Sequence, residues 1–250
     1  MPEAIDNPLT GEVTTLPYHQ RIGVAHLRQP GGAILGTALG GGKSLSALVA
    51  ASLSAFNRVL VVGPINSRRT WCADTGDPWR RLAIRVTPLE GIKDPGRDAP
   101  RAGWVFLHYD IVDAWFSWFA NVFQPDLIIL DEAHRLYGHK TKRAERMMSL
   151  CRLKTVQARY LLTGTQVRND RANLFPLLSC AQPLAWGSTF WEFAPRYVGV
   201  AQGEYGLLVG RKAREAAVDS VHTYDDEFDA RLRHVLLRFE REEFGDSALS

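Results

Sequence analysis

Four short apolar runs constrain this chain more than anything else in it. They are Arg58-Val-Leu-Val-Val62, Trp104-Val-Phe-Leu107, Leu127-Ile-Ile-Leu130 and Arg159-Tyr-Leu-Leu162. None alternates apolar with polar residues, so each reads as a strand buried on both faces. Helical spacing of apolar groups fills the intervals: Tyr18 to Leu27, Ser44 to Phe56, Asn66 to Trp79 with a break at Gly76, Ile111 to Phe123, and Thr141 to Leu153. Ala33-Ile-Leu35 and Ile84-Arg-Val86 read as further short strands. Strands alternating with helices predict an α/β fold, a mostly parallel sheet with helices on both faces. After Thr165 the pattern changes. Ala172 to Cys180, Ser188 to Tyr197 and Glu227 to Glu243 read as helices, with a hairpin around Gly203-Glu-Tyr-Gly206. This stretch is expected to form a helical appendage packed on the core. The first 15 residues are polar and read as a loose lead-in.

Two clusters carry chemistry. Gly36-Thr-Ala-Leu-Gly40-Gly41-Gly42-Lys43-Ser44 joins the first strand of the core to a helix. Glycines let backbone approach phosphate oxygens, and the helix N-terminus adds free N–H groups and a positive dipole end. Lys43 supplies charge to the phosphates and Ser44 a hydroxyl to Mg²⁺. Thr37 departs from the strict phosphate-loop pattern, which has glycine there. Asp131-Glu132 follows the strand Leu127 to Leu130, so it emerges at the carboxyl edge of the sheet, where ligands bind in such folds. Asp131 suits Mg²⁺, and Glu132 suits the orientation of an attacking water.

With these motifs on the page, the chain resembles the first RecA-like domain of superfamily 2 helicases and translocases, in particular the Swi/Snf-type DNA-dependent ATPases. Leu16-Pro-Tyr-His-Gln20 is similar to the family's adenine-reading segment, with Gln20 as the reader. Thr37 to Ser44 resembles its first motif, where glycine is absent from the same place. Val59 to Pro64, followed by Trp71, looks like motif Ia, and Trp104 to Tyr109 like motif Ib. Asp131-Glu-Ala-His134, a DEAH box, is followed by Lys140, Lys142 and Arg143; Tyr160 to Asn169 resembles motif III. Gln166 stands where the family has proline, and Phe239 where it has a second arginine after Arg238.

The resemblance implies ATP and Mg²⁺ as cofactors. It implies nucleotide contacts from Gln20, Gly40, Gly41, Gly42, Lys43, Ser44 and Leu45, metal contacts from Ser44 and Asp131, and catalysis by Glu132 with Lys43 and Asp131. His134, Thr163, Gly164 and Thr165 would couple nucleotide state to a neighbouring domain. Asn66, Ser67, Arg68, Lys140, Lys142 and Arg143 would line a path for double-stranded DNA. The tryptophans read as core residues rather than base-stacking platforms.

The expected division is residues 1–15 as lead-in, 16–170 as RecA-like domain 1, 171–243 as helical appendage and 244–250 as tail. A second RecA-like domain is not expected within these residues. It would come from a second polypeptide, as in a split helicase of the kind bacteriophage genomes encode, and the isolated chain would hydrolyse ATP weakly. The alternative is a stand-alone regulatory module that binds nucleotide or DNA with little turnover. A net charge of +3 does not by itself mark a nucleic-acid binder. Three scattered cysteines argue against a disulfide framework, and no apolar run approaches the ~20 residues that span a bilayer. A cytoplasmic protein without membrane contact is expected.

Overall fold

The computed structural model describes residues 4–6, 13–38, 40–72, 84–92, 99–138, 140–164, 171–203, 206–209 and 225–239. In chain order the elements are β1 (Ala4–Asp6), β2 (Val13–Thr15), α1 (Tyr18–Leu27), β3 (Gly31–Thr37), α2 (Lys43–Ser52), β4 (Arg58–Gly63) and α3 (Arg68–Cys72). Next come β5 (Val86–Pro88), β6 (Gly103–His108), α4 (Val112–Trp118), β7 (Leu127–Leu130), α5 (Lys142–Cys151) and β8 (Ala158–Thr163). The chain continues through α6 (Arg171–Ala181), α7 (Phe190–Tyr197), β9 (Val200–Gly203), β10 (Gly206–Val209), α8 (Asp225–Val235) and β11 (Leu236–Phe239).

Seven strands form the central sheet in the order β11-β3-β8-β7-β4-β6-β5. Every neighbouring pair is parallel. The unbroken apolar runs are explained by the two cores they separate. Leu60, Val62, Ile128, Leu130 and Leu161 point into one core with α4 to α8. Val59, Val61, Leu127, Ile129 and Leu162 point into the other with α1 and α2. Adjacent strand residues face opposite ways, so a strand between two helical layers must be apolar at every position. Each fully buried aliphatic side chain contributes about 1.5–3 kcal/mol.

Asp126 fixes the start of β7 against β4. Its two carboxylate oxygens accept the backbone N–H groups of Asn57 and Arg58, both at 2.9 Å. α5 is capped by Thr141, whose hydroxyl accepts from the Ala144 N–H at 3.2 Å. α6, α7 and α8 join the core of one sheet face, where Trp186, Phe193, Tyr197 and Phe228 form a ring cluster. The expected hairpin is present as β9 and β10.

Three expectations are corrected. The last helix does not run to Glu243: it stops at Val235, and Leu236 to Phe239 add a strand in parallel beside β3. A short apolar run at a helix end is locally ambiguous, and the open edge of β3 decides it. The lead-in includes an antiparallel pair, Ala4 to Asp6 against Val13 to Thr15. The helix expected from Asn66 is a 3₁₀ turn, Ile65–Ser67, running into the five-residue α3; residues 73–83 lie outside the described residues. The cysteines Cys72, Cys151 and Cys180 are unbridged, and among the described residues no helix is long and apolar enough to cross a membrane.

Candidate nucleotide site

The parallel sheet brings the ends of β3, β4, β7 and β8 to one edge. From β3 the chain enters the Gly-rich loop, in which Gly40 and Gly42 have φ of +84° and +72°. Gly42 is the N-cap of α2 and no side chain caps that helix, so its first N–H groups are left for a ligand. Lys43 is only 8% exposed. Its ammonium donates to the carbonyls of Thr37 at 3.0 Å and Ala38 at 3.4 Å. Burial lowers the Lys43 pKa, while Glu132 and Asp131 oppose that shift.

Gln20 reaches the same loop from α1. A Cβ at Gly42 would lie 2.2 Å from Gln20 Nε2, so only glycine leaves room for that amide. Gln20 Oε1 is buried and has no partner among the described residues. It is an acceptor without a donor, as a reader of an exocyclic amine would be.

Asp131 leaves β7 buried. Its Oδ2 accepts the Trp71 indole N–H at 2.9 Å, and its Oδ1 accepts the Glu132 backbone N–H at 3.0 Å. Glu132 adopts left-handed backbone, φ 48° and ψ 50°. A non-glycine residue held there marks a constrained position. Its Oε2 lies 3.2 Å from His134 Nδ1 and accepts the Gly164 N–H at 3.4 Å. A Cβ at Gly164 would lie 3.3 Å from Lys43 Nζ and 3.7 and 3.8 Å from the two Glu132 oxygens. The loop lysine, the DEAH carboxylate and the turn after β8 therefore meet around one small space. Thr163 is fully buried at the end of β8; Thr165 lies outside the described residues.

The donors suit Mg²⁺. It takes hard oxygen ligands and keeps several waters, using one or two carboxylates together with phosphate. Asp131 retains lone pairs beyond its two hydrogen bonds, and Ser44 lies in the first turn of α2, next to Lys43. Among the described residues no three His, Cys, Asp or Glu side chains form a metal cluster.

The basic candidates are less open than their spacing suggests. Lys142 pairs with Asp113 at 2.6 Å, and Arg143 pairs with Asp110. Arg146 adds a second partner for Asp113 at 2.6 Å, so α5 is laced to α4 and the turn before it. Arg68 pairs with Glu90. Asn66 and Lys140 are exposed and Ser67 is half-buried. Trp71, Trp115, Trp118 and Trp186 are buried, as expected, whereas Trp191 is 51% exposed. The indole of Trp71 is also a partner of the site, which its apolar surroundings do not announce.

The family model for the SNF2-related domain matches residues 18–223. The chain belongs to the SNF2-related family. It is 30% identical over 197 residues to the "SWI/SNF-related matrix-associated actin-dependent regulator of chromatin subfamily A-like protein 1" of Xenopus tropicalis, covering 76% of this chain and 20% of that protein. It is 31% identical over 183 residues to the human "DNA excision repair protein ERCC-6-like", covering 65% of this chain and 14% of that protein. This SNF2-related chain thus spans a fifth or less of these relatives. Its fold matches that of the Sulfolobus solfataricus SWI2/SNF2 ATPase core in complex with dsDNA, with a TM-score of 0.65, 17% identity, and coverage of 94% of this chain and 46% of that one. The same organism's SWI2/SNF2 ATPase core domain matches with a TM-score of 0.61 and 16% identity, over 100% of this chain and 50% of that one.

Proposed function

We propose that this SNF2-related domain binds Mg-ATP at the Lys43–Asp131–Glu132 edge, contacts double-stranded DNA, and hydrolyses ATP efficiently only when a second RecA-like domain closes over the site. One observation carries the reading: Lys43 Nζ and both Glu132 oxygens lie within 4 Å of the point where a Gly164 Cβ would sit. Phosphate-loop charge and a water-orienting carboxylate are thus already in register. Lys43 and the free N–H groups of α2 bind the phosphates, Gln20 holds the base, and Glu132, steadied by the Gly164 N–H, orients the attacking water. Ser44 and Asp131 would hold Mg²⁺, which would offset charge on the phosphates. The Sulfolobus cores that the chain overlays are about twice its length, which supports a second lobe, and the dsDNA in one of them supports DNA as partner. Such a lobe would supply an arginine finger, a contribution on the order of 10³- to 10⁵-fold in rate.

Fluorescence anisotropy of a labelled ATP analogue, with and without Mg²⁺, tests the binding step. Steady-state hydrolysis with and without duplex DNA and an added second domain tests the rest. Nucleotide binding that is indifferent to Lys43→Ala removes the proposal. Brisk DNA-stimulated turnover by this chain alone removes its requirement for a second domain.

A further inference from the structure

We infer that Trp71 is a positioning residue that clamps the metal-binding carboxylate Asp131 and joins it rigidly to the loop in contact with DNA. The inference rests on the nucleotide and DNA reading above. Trp71 is 1% exposed and sits in α3, four residues after Ser67. Its indole N–H holds Asp131 Oδ2 at 2.9 Å, and the Glu132 N–H holds Oδ1 at 3.0 Å. With both oxygens engaged, the carboxylate cannot turn about its Cβ–Cγ bond without losing one of these hydrogen bonds. Charge-assisted hydrogen bonds of this kind are about twice as strong as neutral ones.

The connection to the loop is equally tight. The 3₁₀ turn Ile65–Ser67 runs into α3 without an intervening residue. A Cβ at Gly63 would lie 3.3 Å from both the Asp131 Cβ and the Ser67 Cβ, so the loop and Asp131 both pack closely on Gly63. The Asp131 backbone is fixed as well: its N–H donates to Val62 O at 2.7 Å, and its carbonyl accepts the Tyr109 hydroxyl at 2.9 Å. A ligand that shifts the loop must therefore carry the indole with it, and the indole must carry Asp131 Oδ2. Burial alone does not produce such a bond. Trp186 is 2% exposed, yet its indole N–H meets no acceptor among the described residues.

Trp71→Phe keeps an aromatic ring and removes the N–H; Trp186→Phe is the matched control, with no such bond to lose. Anisotropy of a labelled ATP analogue is measured in EDTA, across a Mg²⁺ titration, and with a short DNA duplex. Trp71→Phe is expected to leave affinity in EDTA within about twofold, to cut the Mg²⁺-dependent gain about tenfold, and to abolish the effect of DNA on Mg-nucleotide affinity. Trp186→Phe retains both effects. In the unmodified protein, the Trp71 indole ¹⁵N–¹H signal is expected to shift on adding Mg-ADP and on adding DNA. The proposal is overturned if Trp71→Phe retains the Mg²⁺ gain and the DNA effect, if Trp186→Phe loses them equally, or if the indole signal ignores both ligands. Failure of the unmodified protein to bind nucleotide under any condition overturns the underlying reading instead, and this inference with it.

Discussion

Replacing Lys43 with methionine should separate binding from stability, because the same side chain acts on them in opposite directions. The lysine is nearly buried, and its ammonium hangs on two backbone carbonyls, Thr37 at 3.0 Å and Ala38 at 3.4 Å. Burial is the main cause of its lowered pKa, only partly offset by Glu132 and Asp131. Lys43→Met removes the charge and keeps most of the volume. The buried Thr37 carbonyl then loses a donor, at about 1 kcal/mol. Against this stands relief from burying an ammonium, the main cause of the lowered pKa, reduced by the attraction to Glu132 and Asp131 that the variant loses. The opposing terms should leave the nucleotide-free variant within about 1–2 kcal/mol of the unmodified protein. For ligand binding, a lost charge-assisted contact of about 1.5–3 kcal/mol weakens nucleotide affinity roughly 10- to 150-fold. The pH dependence follows from the same burial. A lowered folded-state pKa means that, between that value and the ordinary 10.5, the unfolded chain binds the extra proton. The unmodified protein should then gain stability relative to Lys43→Met as pH rises through that window. Urea unfolding without nucleotide, at about pH 7 and again near pH 10, measures the stability arm. Anisotropy titration measures the binding arm. A loss of more than about 2 kcal/mol in the variant, or affinity kept within about twofold, refutes the reasoning.

Asp126→Ala strands two N–H groups that its carboxylate holds at 2.9 Å, and should cost about 3 kcal/mol in urea unfolding; a loss below about 1 kcal/mol would show that they find other acceptors. Gly32→Ala places a Cβ 2.2 Å from the Ala181 carbonyl oxygen and 2.9 Å from that of Arg159, so β3 or α6 must shift, and a melting temperature drop of several degrees is expected. Glu132→Gln should retain nucleotide binding while lowering hydrolysis by a factor on the order of 10² to 10⁴ once the site is complete, with single-turnover kinetics as the check.

The strands were legible because burial on both faces leaves no polar position in them, as Leu127 to Leu130 illustrates. Lys43 and Asp131-Glu132 were legible because a Gly-rich strand-to-helix turn and an acidic strand end are local patterns. What escaped the sequence depends on distant partners. β11 is a strand because β3 offers an open edge some 200 residues earlier in the chain (Leu236 pairs with Ile34). Lys142 and Arg143 read as an exposed basic cluster because Asp113 and Asp110, which pair with them, lie on a different element. The reach of the Trp71 indole to Asp131 crosses 60 positions and leaves no periodic trace.

β11 also sets how force can enter the molecule. It runs parallel to β3, and its last residue, Phe239, stands beside Thr37 at the mouth of the phosphate loop. Its base is moored by His26, whose ring nitrogen lies 3.1 Å from the Val235 carbonyl, and its tip packs edge-to-face on His19 at 6.0 Å. Tension applied beyond Phe239 along the strand direction loads the ladder in shear, so its hydrogen bonds resist together rather than opening one by one. The same pull acts on the strand next to the lysine-bearing loop. Load borne by this sheet edge would thus pass directly to the strand that leads into the Gly-rich loop.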